Sequence, residues 1–86
     1  MKKEEIQSAV KDYILREFLP GESPDALSES TPLVTGGILD SLATLKLVSF
    51  LENAYDVTFE AHEVDAEHLD TIAAIASWVV DRKRVT

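Results

Sequence analysis

The sequence contains no cysteine. That excludes a disulfide framework, a thiolate metal site and a cysteine nucleophile. Any thiol chemistry has to come from a group attached after synthesis. Long hydrophobic runs are also missing: no apolar stretch approaches the roughly 20 residues that span a bilayer. Met1-Lys2-Lys3-Glu4-Glu5 leads into an amphipathic pattern and not into the unbroken apolar run of a signal peptide. The expectation is a cytoplasmic protein without a membrane partner. Proline and glycine are scarce, three of each, and all six fall between positions 20 and 37. With 86 residues the chain has room for one domain, taken as 1–86. Both ends look complete, so a free-standing monomer is expected.

Basic residues are scarce in the middle of the chain. The net charge is −8, and between Glu17 and Asp81 the only base is Lys46, against 13 Asp and Glu. The other bases lie near the ends: Lys2, Lys3, Lys11 and Arg16, then Arg82, Lys83 and Arg84. An acidic middle repels phosphate backbones, so nucleic acid is excluded as a partner, and basic patches on proteins are the natural complement. With 45% hydrophobic residues the chain has enough apolar surface to fold.

What is present is helical periodicity. Ile6, Ala9, Val10, Tyr13, Ile14 and Phe18 recur at three- and four-residue spacing and predict a helix over 2–19, ended by Pro20-Gly21. Residues 20–37 predict a long connection that packs through Leu27, Leu33, Val34, Ile38 and Leu39. Long connections in small domains are often functional. A second helix is expected over 41–55, with Leu47, Val48, Leu51, Ala54 and Tyr55 as its core stripe. Leu42 and Leu45 fall on another face, as apolar residues the core does not fully need. Val57-Thr58-Phe59 alternates too briefly to predict a sheet. Glu60 to His68 predicts a short helix or a turn and a half, with Val64 and Leu69 as its core contacts. Asp70 then caps a final helix with Ile72, Ile75, Ala76, Val79 and Val80 inward, Trp78 toward a flank, and Arg82 to Arg84 at its negative end. The fold class is all-α, an antiparallel four-helix bundle with three main helices, a short third one and a long loop between the first two.

The punctuation is densest at Gly36-Gly37-Ile38-Leu39-Asp40-Ser41-Leu42. A hydroxyl at the start of a helix sits where added negative charge is tolerated, which suits a phosphate ester. On position alone, Asp40 or Ser41 serving only as an N-cap is the simpler reading. Other chemistry is poorly supported. His62 and His68 are six residues apart and face opposite sides of a helix, so no metal is expected. Leu39-Asp40-Ser41-Leu42-Ala43 is not a hydrolase elbow.

Thr31-Pro32-Leu33, then Gly37-Ile38-Leu39-Asp40-Ser41-Leu42, then Leu47-Val48-Ser49-Phe50-Leu51-Glu52, resembles the acyl and peptidyl carrier protein family, including its Asp-Ser-Leu signature. The resemblance implies a non-enzymatic carrier. A phosphopantetheinyl transferase would attach the 4'-phosphopantetheine of coenzyme A to Ser41. Acyl or aminoacyl groups would ride on its thiol as thioesters. Asp40 matches the aspartate that helps the transferase recognise the site, and Leu42 and Leu45 match partner-recognition positions, although both leucines could instead cover the loop. The implied partners are that transferase, an acyl- or aminoacyl-loading ligase and downstream synthase enzymes. Fatty-acid carriers usually have acids where this chain has Ala43 and Lys46. Ile38-Leu39 looks more like free-standing peptidyl or aminoacyl carriers. A specialised pathway (nonribosomal peptide, polyketide or extender unit) is therefore expected ahead of fatty-acid synthesis. From another class, a small acidic adaptor without a prosthetic group would leave Ser41 as a cap.

Overall fold

The computed structural model describes residues 2–85, with side chains described for 2–83. Its helices are α1 (Lys3–Phe18), α2 (Ser41–Tyr55), α3 (Ala66–Leu69) and α4 (Ile72–Val85). Single 3-10 turns at Pro24–Ala26 and Ala61–Glu63 interrupt the two connections. The periodic stripe of α1 buries Ile6, Val10 and Ile14, and this helix packs chiefly against α4. From α2 come Ala43, Leu47, Val48 and Leu51. All enter one apolar core with Ile72, Ile75, Ala76 and Val79. The architecture is an all-α four-helix bundle, with no strand among the described residues.

The long connection is part of this core. Leu27, Leu33 and Leu39 are each 3% exposed or less. Ser23 caps the first 3-10 turn by accepting from the Asp25 N–H, with Pro24 at its start. Asp56, in the left-handed region at φ 54°, ends α2, a conformation that Asp tolerates better than most side chains.

Several local expectations need correction. Residues 60–68 do not form one short helix. They divide into the Ala61–Glu63 turn and the four-residue α3, which Asp65 caps by accepting from the His68 N–H. Asp70 does not cap α4: Thr71 Oγ1 accepts from the Ala74 N–H at 3.0 Å, and the Asp70 carboxylate turns the other way. Trp78 is buried, stacked on Phe59 at 3.8 Å. The brief alternation at Val57 and Phe59 therefore records two core contacts of an extended connection. The Arg82 guanidinium lies 5.6 Å from the centre of the Phe59 ring and also pairs with Glu63. Ala54 is exposed and contributes nothing to the core stripe. The expected role of Arg84 lies outside the described residues.

Leu42 and Leu45, at 62% and 58% exposed, are the large hydrophobic residues that the described fold leaves in solvent. Their substitution should therefore be nearly neutral for stability. Leu47→Ala should lower the unfolding free energy by about 2–5 kcal/mol, whereas Leu45→Ala should change it by less than about 0.5 kcal/mol. Urea denaturation followed by circular dichroism measures both.

Candidate functional site

The path into α2 is set by backbone constraints. The Leu33 carbonyl accepts from both the Ile38 and the Leu39 N–H, at 2.9 Å each, closing residues 33–39 into a compact loop. Two glycines make that closure feasible for different reasons. A Cβ on Gly36 would lie 2.3 Å from the Pro32 carbonyl oxygen, and Gly37 has φ +82°. Leu39 is buried, which anchors the end of the loop beside α2.

Asp40 is the N-cap. Its Oδ1 accepts from the Ala43 N–H at 2.8 Å, and its carbonyl accepts from the Thr44 N–H and hydroxyl. Ser41 is the first helical residue; it is exposed, and its hydroxyl makes no hydrogen bond among the described residues. The capping duty that could have fallen on either residue thus belongs to Asp40 alone. Around the Ser41 hydroxyl lie first-turn amides without intrahelical partners, at the positive end of the helix dipole.

Ser41 lines a cleft of about 510 Å³ between α2 and α3, walled mainly by Val34, Leu39, Leu45, Val64 and Leu69. Leu45 is both part of this wall and exposed, whereas the equally exposed Leu42 lies outside the cleft. Of the two positions where this chain lacks an acid, Ala43 is buried and Lys46 is exposed.

One side of the cleft is tied to the other by Asp70. Its carboxylate accepts from the Val34 N–H at 2.9 Å, the Thr35 N–H at 2.8 Å and the Thr35 hydroxyl at 2.9 Å. Its carbonyl takes the Leu33 N–H. The Thr35 N–H foremost, helped by the Thr35 hydroxyl and the Val34 N–H, holds the Asp70 carboxyl below its ordinary value. This role was not legible in the sequence, where the position before a helix reads as a cap. Asp65 and Glu63 are likewise held low, by the His68 N–H and by Arg82 respectively. His68 also stacks on Trp78 at 5.1 Å, while His62 is exposed on the preceding turn.

No family model matches the chain. It is, however, 31% identical over 74 residues to a probable acyl carrier protein, PigG, of Serratia sp. (strain ATCC 39006). That match takes in 86% of this chain and 84% of the relative. The chain belongs to the acyl carrier protein family. Acyl carrier proteins are not enzymes; they work with transferase and synthase enzymes, and their family implies a phosphopantetheine group. The carrier is also similar, at 33% identity and a TM-score of 0.73, to a chain in a crystal structure described as that of an FAD-dependent dehydrogenase. That correspondence covers 81% of this carrier and 97% of the other chain. No helix among the described residues is long and apolar enough to cross a membrane.

The Asp70 tether has a defined pH dependence. Because the folded carboxyl is more acidic than its ordinary value of 3.8, its contribution is complete above that value and disappears as pH falls through the folded one. Protection of the Val34 and Thr35 amides against hydrogen exchange should hold at neutral pH and fall below about pH 4. Asp70→Asn should lower it throughout. Exchange followed by NMR checks both.

Proposed function

We propose that this acyl carrier protein holds acyl or aminoacyl intermediates as thioesters on a 4'-phosphopantetheine arm attached to Ser41. It presents them to the enzymes of a specialised pathway. The observation that carries this reading is the exposed, unengaged hydroxyl of Ser41 at the first position of α2, with Asp40 doing the capping. A serine kept only as a cap, which the adaptor reading requires, would be expected to bond the helix amides itself.

The residues present fit the group. The Ser41 oxygen attacks the phosphorus of coenzyme A that bears the pantetheine. A new P–O bond forms, adenosine bisphosphate leaves, and the hydroxyl proton passes to a base of the transferase. When bound, the arm supplies a thiol, which this chain otherwise lacks. Asp40 fixes where the helix begins and so where the Ser41 oxygen points. The free amides of the first turn offset the charge of the resulting phosphodiester. Leu42 and Leu45 offer exposed apolar contacts to enzymes that approach Ser41. Tethering then raises the local concentration of cargo at each partner's active site.

Lys46 favours a specialised pathway over fatty-acid synthesis, because it is exposed on the helix beside Ser41 where fatty-acid carriers tend to be acidic. The partners in this reading are a phosphopantetheinyl transferase, an acyl- or aminoacyl-loading ligase and downstream synthase enzymes. The structural relative adds one class. Since 97% of that chain is accounted for by this small carrier fold, the matched chain is itself of carrier size, and a flavin-dependent dehydrogenase becomes a candidate for handling the tethered cargo.

Incubation with coenzyme A and a broad-specificity phosphopantetheinyl transferase should add the mass of one phosphopantetheine group to the intact protein. Ser41→Ala should abolish the gain. A gain that survives this substitution, or none with several transferases, would refute the assignment.

A further inference from the structure

The two glycines that let residues 33–39 turn also give that turn unusual backbone freedom. Its buried anchors, Leu33 and Leu39, sit at its two ends. Within the loop, the Gly37 N–H reaches the Val34 carbonyl only at 3.2 Å, at the long end of the hydrogen-bond range. The middle is held from outside, by the Asp70 carboxylate. Besides the Val34 N–H, the donors to that carboxylate both belong to Thr35, the residue directly before the glycines. The Thr35 N–H lies 2.8 Å from Oδ1, and its hydroxyl lies 2.9 Å from Oδ2 and 3.2 Å from Oδ1.

Thr35 is the only polar side chain between Leu33 and Leu39, and it is exposed, so it adds nothing to the core. A threonine kept for solubility would leave its hydroxyl to water. This hydroxyl is instead committed to a carboxylate 35 residues along the chain. A bond to a charged acceptor is stronger than one between neutral groups. The loop it holds borders the modification site: Val34 and Leu39 line the same cleft as Ser41. An enzyme that reaches Ser41 therefore meets this loop. A loose loop has to be ordered during docking, and that ordering weakens binding.

We infer that Thr35 is a positioning residue for the attachment of phosphopantetheine to Ser41: its hydroxyl and N–H fix the 33–39 loop on Asp70 before the transferase arrives. The inference rests on the carrier reading, which supplies the reaction. Thr35 makes no hydrogen bond to Ser41. It acts through Gly36, Gly37 and the buried Leu39, which lead into the Asp40 cap. With the loop ordered in advance, docking does not have to order it. A looser loop weakens docking and leaves the chemical step unchanged, because that step belongs to the Ser41 oxygen and a base of the transferase. The kinetic signature is a rise in KM with kcat kept.

The test is the initial rate of phosphopantetheine transfer from coenzyme A to the full chain by a broad-specificity transferase, read by intact mass over a range of carrier concentrations. Thr35→Val keeps the shape and the N–H but removes the hydroxyl, and Thr35→Ser keeps both donors. Thr35→Val should raise KM for the carrier about three- to tenfold, part of what a hydrogen bond to a charged group contributes, with kcat within about twofold of the wild type. Thr35→Ser should leave both constants within about twofold. Val79→Ala, at a buried residue about two turns into α4, loosens the core away from the loop and should also leave both constants alone. Nitrogen-15 relaxation should show lower order parameters at Gly36 and Gly37 in Thr35→Val only. The inference is overturned if Thr35→Val leaves KM unchanged, if Thr35→Ser or Val79→Ala raises it as much, if kcat falls in place of a rise in KM, or if the two glycines keep their order. A wild-type chain that takes up no phosphopantetheine sinks the carrier reading and this inference with it. A wild type that is modified while Thr35→Val behaves identically sinks only the positioning role.

Discussion

A long irregular connection can pack into a small core only if its backbone polar groups find partners, and Asp70 supplies them ahead of Ser41. Buried leucines alone would pull residues 33–39 inward while stranding their N–H groups. The Asp70 carboxylate takes two of these, its carbonyl takes a third, and the Leu33 carbonyl takes two more. The loop is thereby held to the junction of α3 and α4. Its end then delivers Asp40 in the extended conformation that an N-cap requires. The exposed position of Ser41 is a consequence of this chain of contacts.

The same contacts shape the space around Ser41. Val34 and Leu39 belong to the tethered loop and Leu69 to the segment that carries Asp70, so the tether joins opposite walls of the α2–α3 cleft at one end. The other end rests on packing of Val64, on the Asp65–His68 contacts and on the stacked Phe59, Trp78 and His68 rings. Leu45 separates this cleft from a shallow apolar depression over the stacked Tyr13 and Phe50 rings.

The helices were legible because α1, α2 and α4 are long enough for their periodicity to stand out. The surplus of Leu42 and Leu45 was legible for the same reason: they fall off the stripe that fills the core, and both are exposed. Short segments were less legible. Asp70 reads locally as a helix cap, since local sequence cannot reveal a partner 36 residues away. Helical periodicity alone puts Trp78 on a flank; its burial depends on Phe59, which lies on an extended segment with no periodicity of its own. The choice between Asp40 and Ser41 as the cap also needed coordinates, since either side chain can do it. That α2 carries little negative charge near Ser41 was legible, because Ala43 and Lys46 stand in its first turns.

The proposed function depends on modification of Ser41. Digestion with trypsin of the protein purified from its own cells releases Ser41 in a peptide spanning residues 17–46, which tandem mass spectrometry can sequence. A labile phosphopantetheine group is expected on that peptide, localised to Ser41. A peptide recovered entirely unmodified from cells that contain an active phosphopantetheinyl transferase, or one modified at another residue, would contradict it.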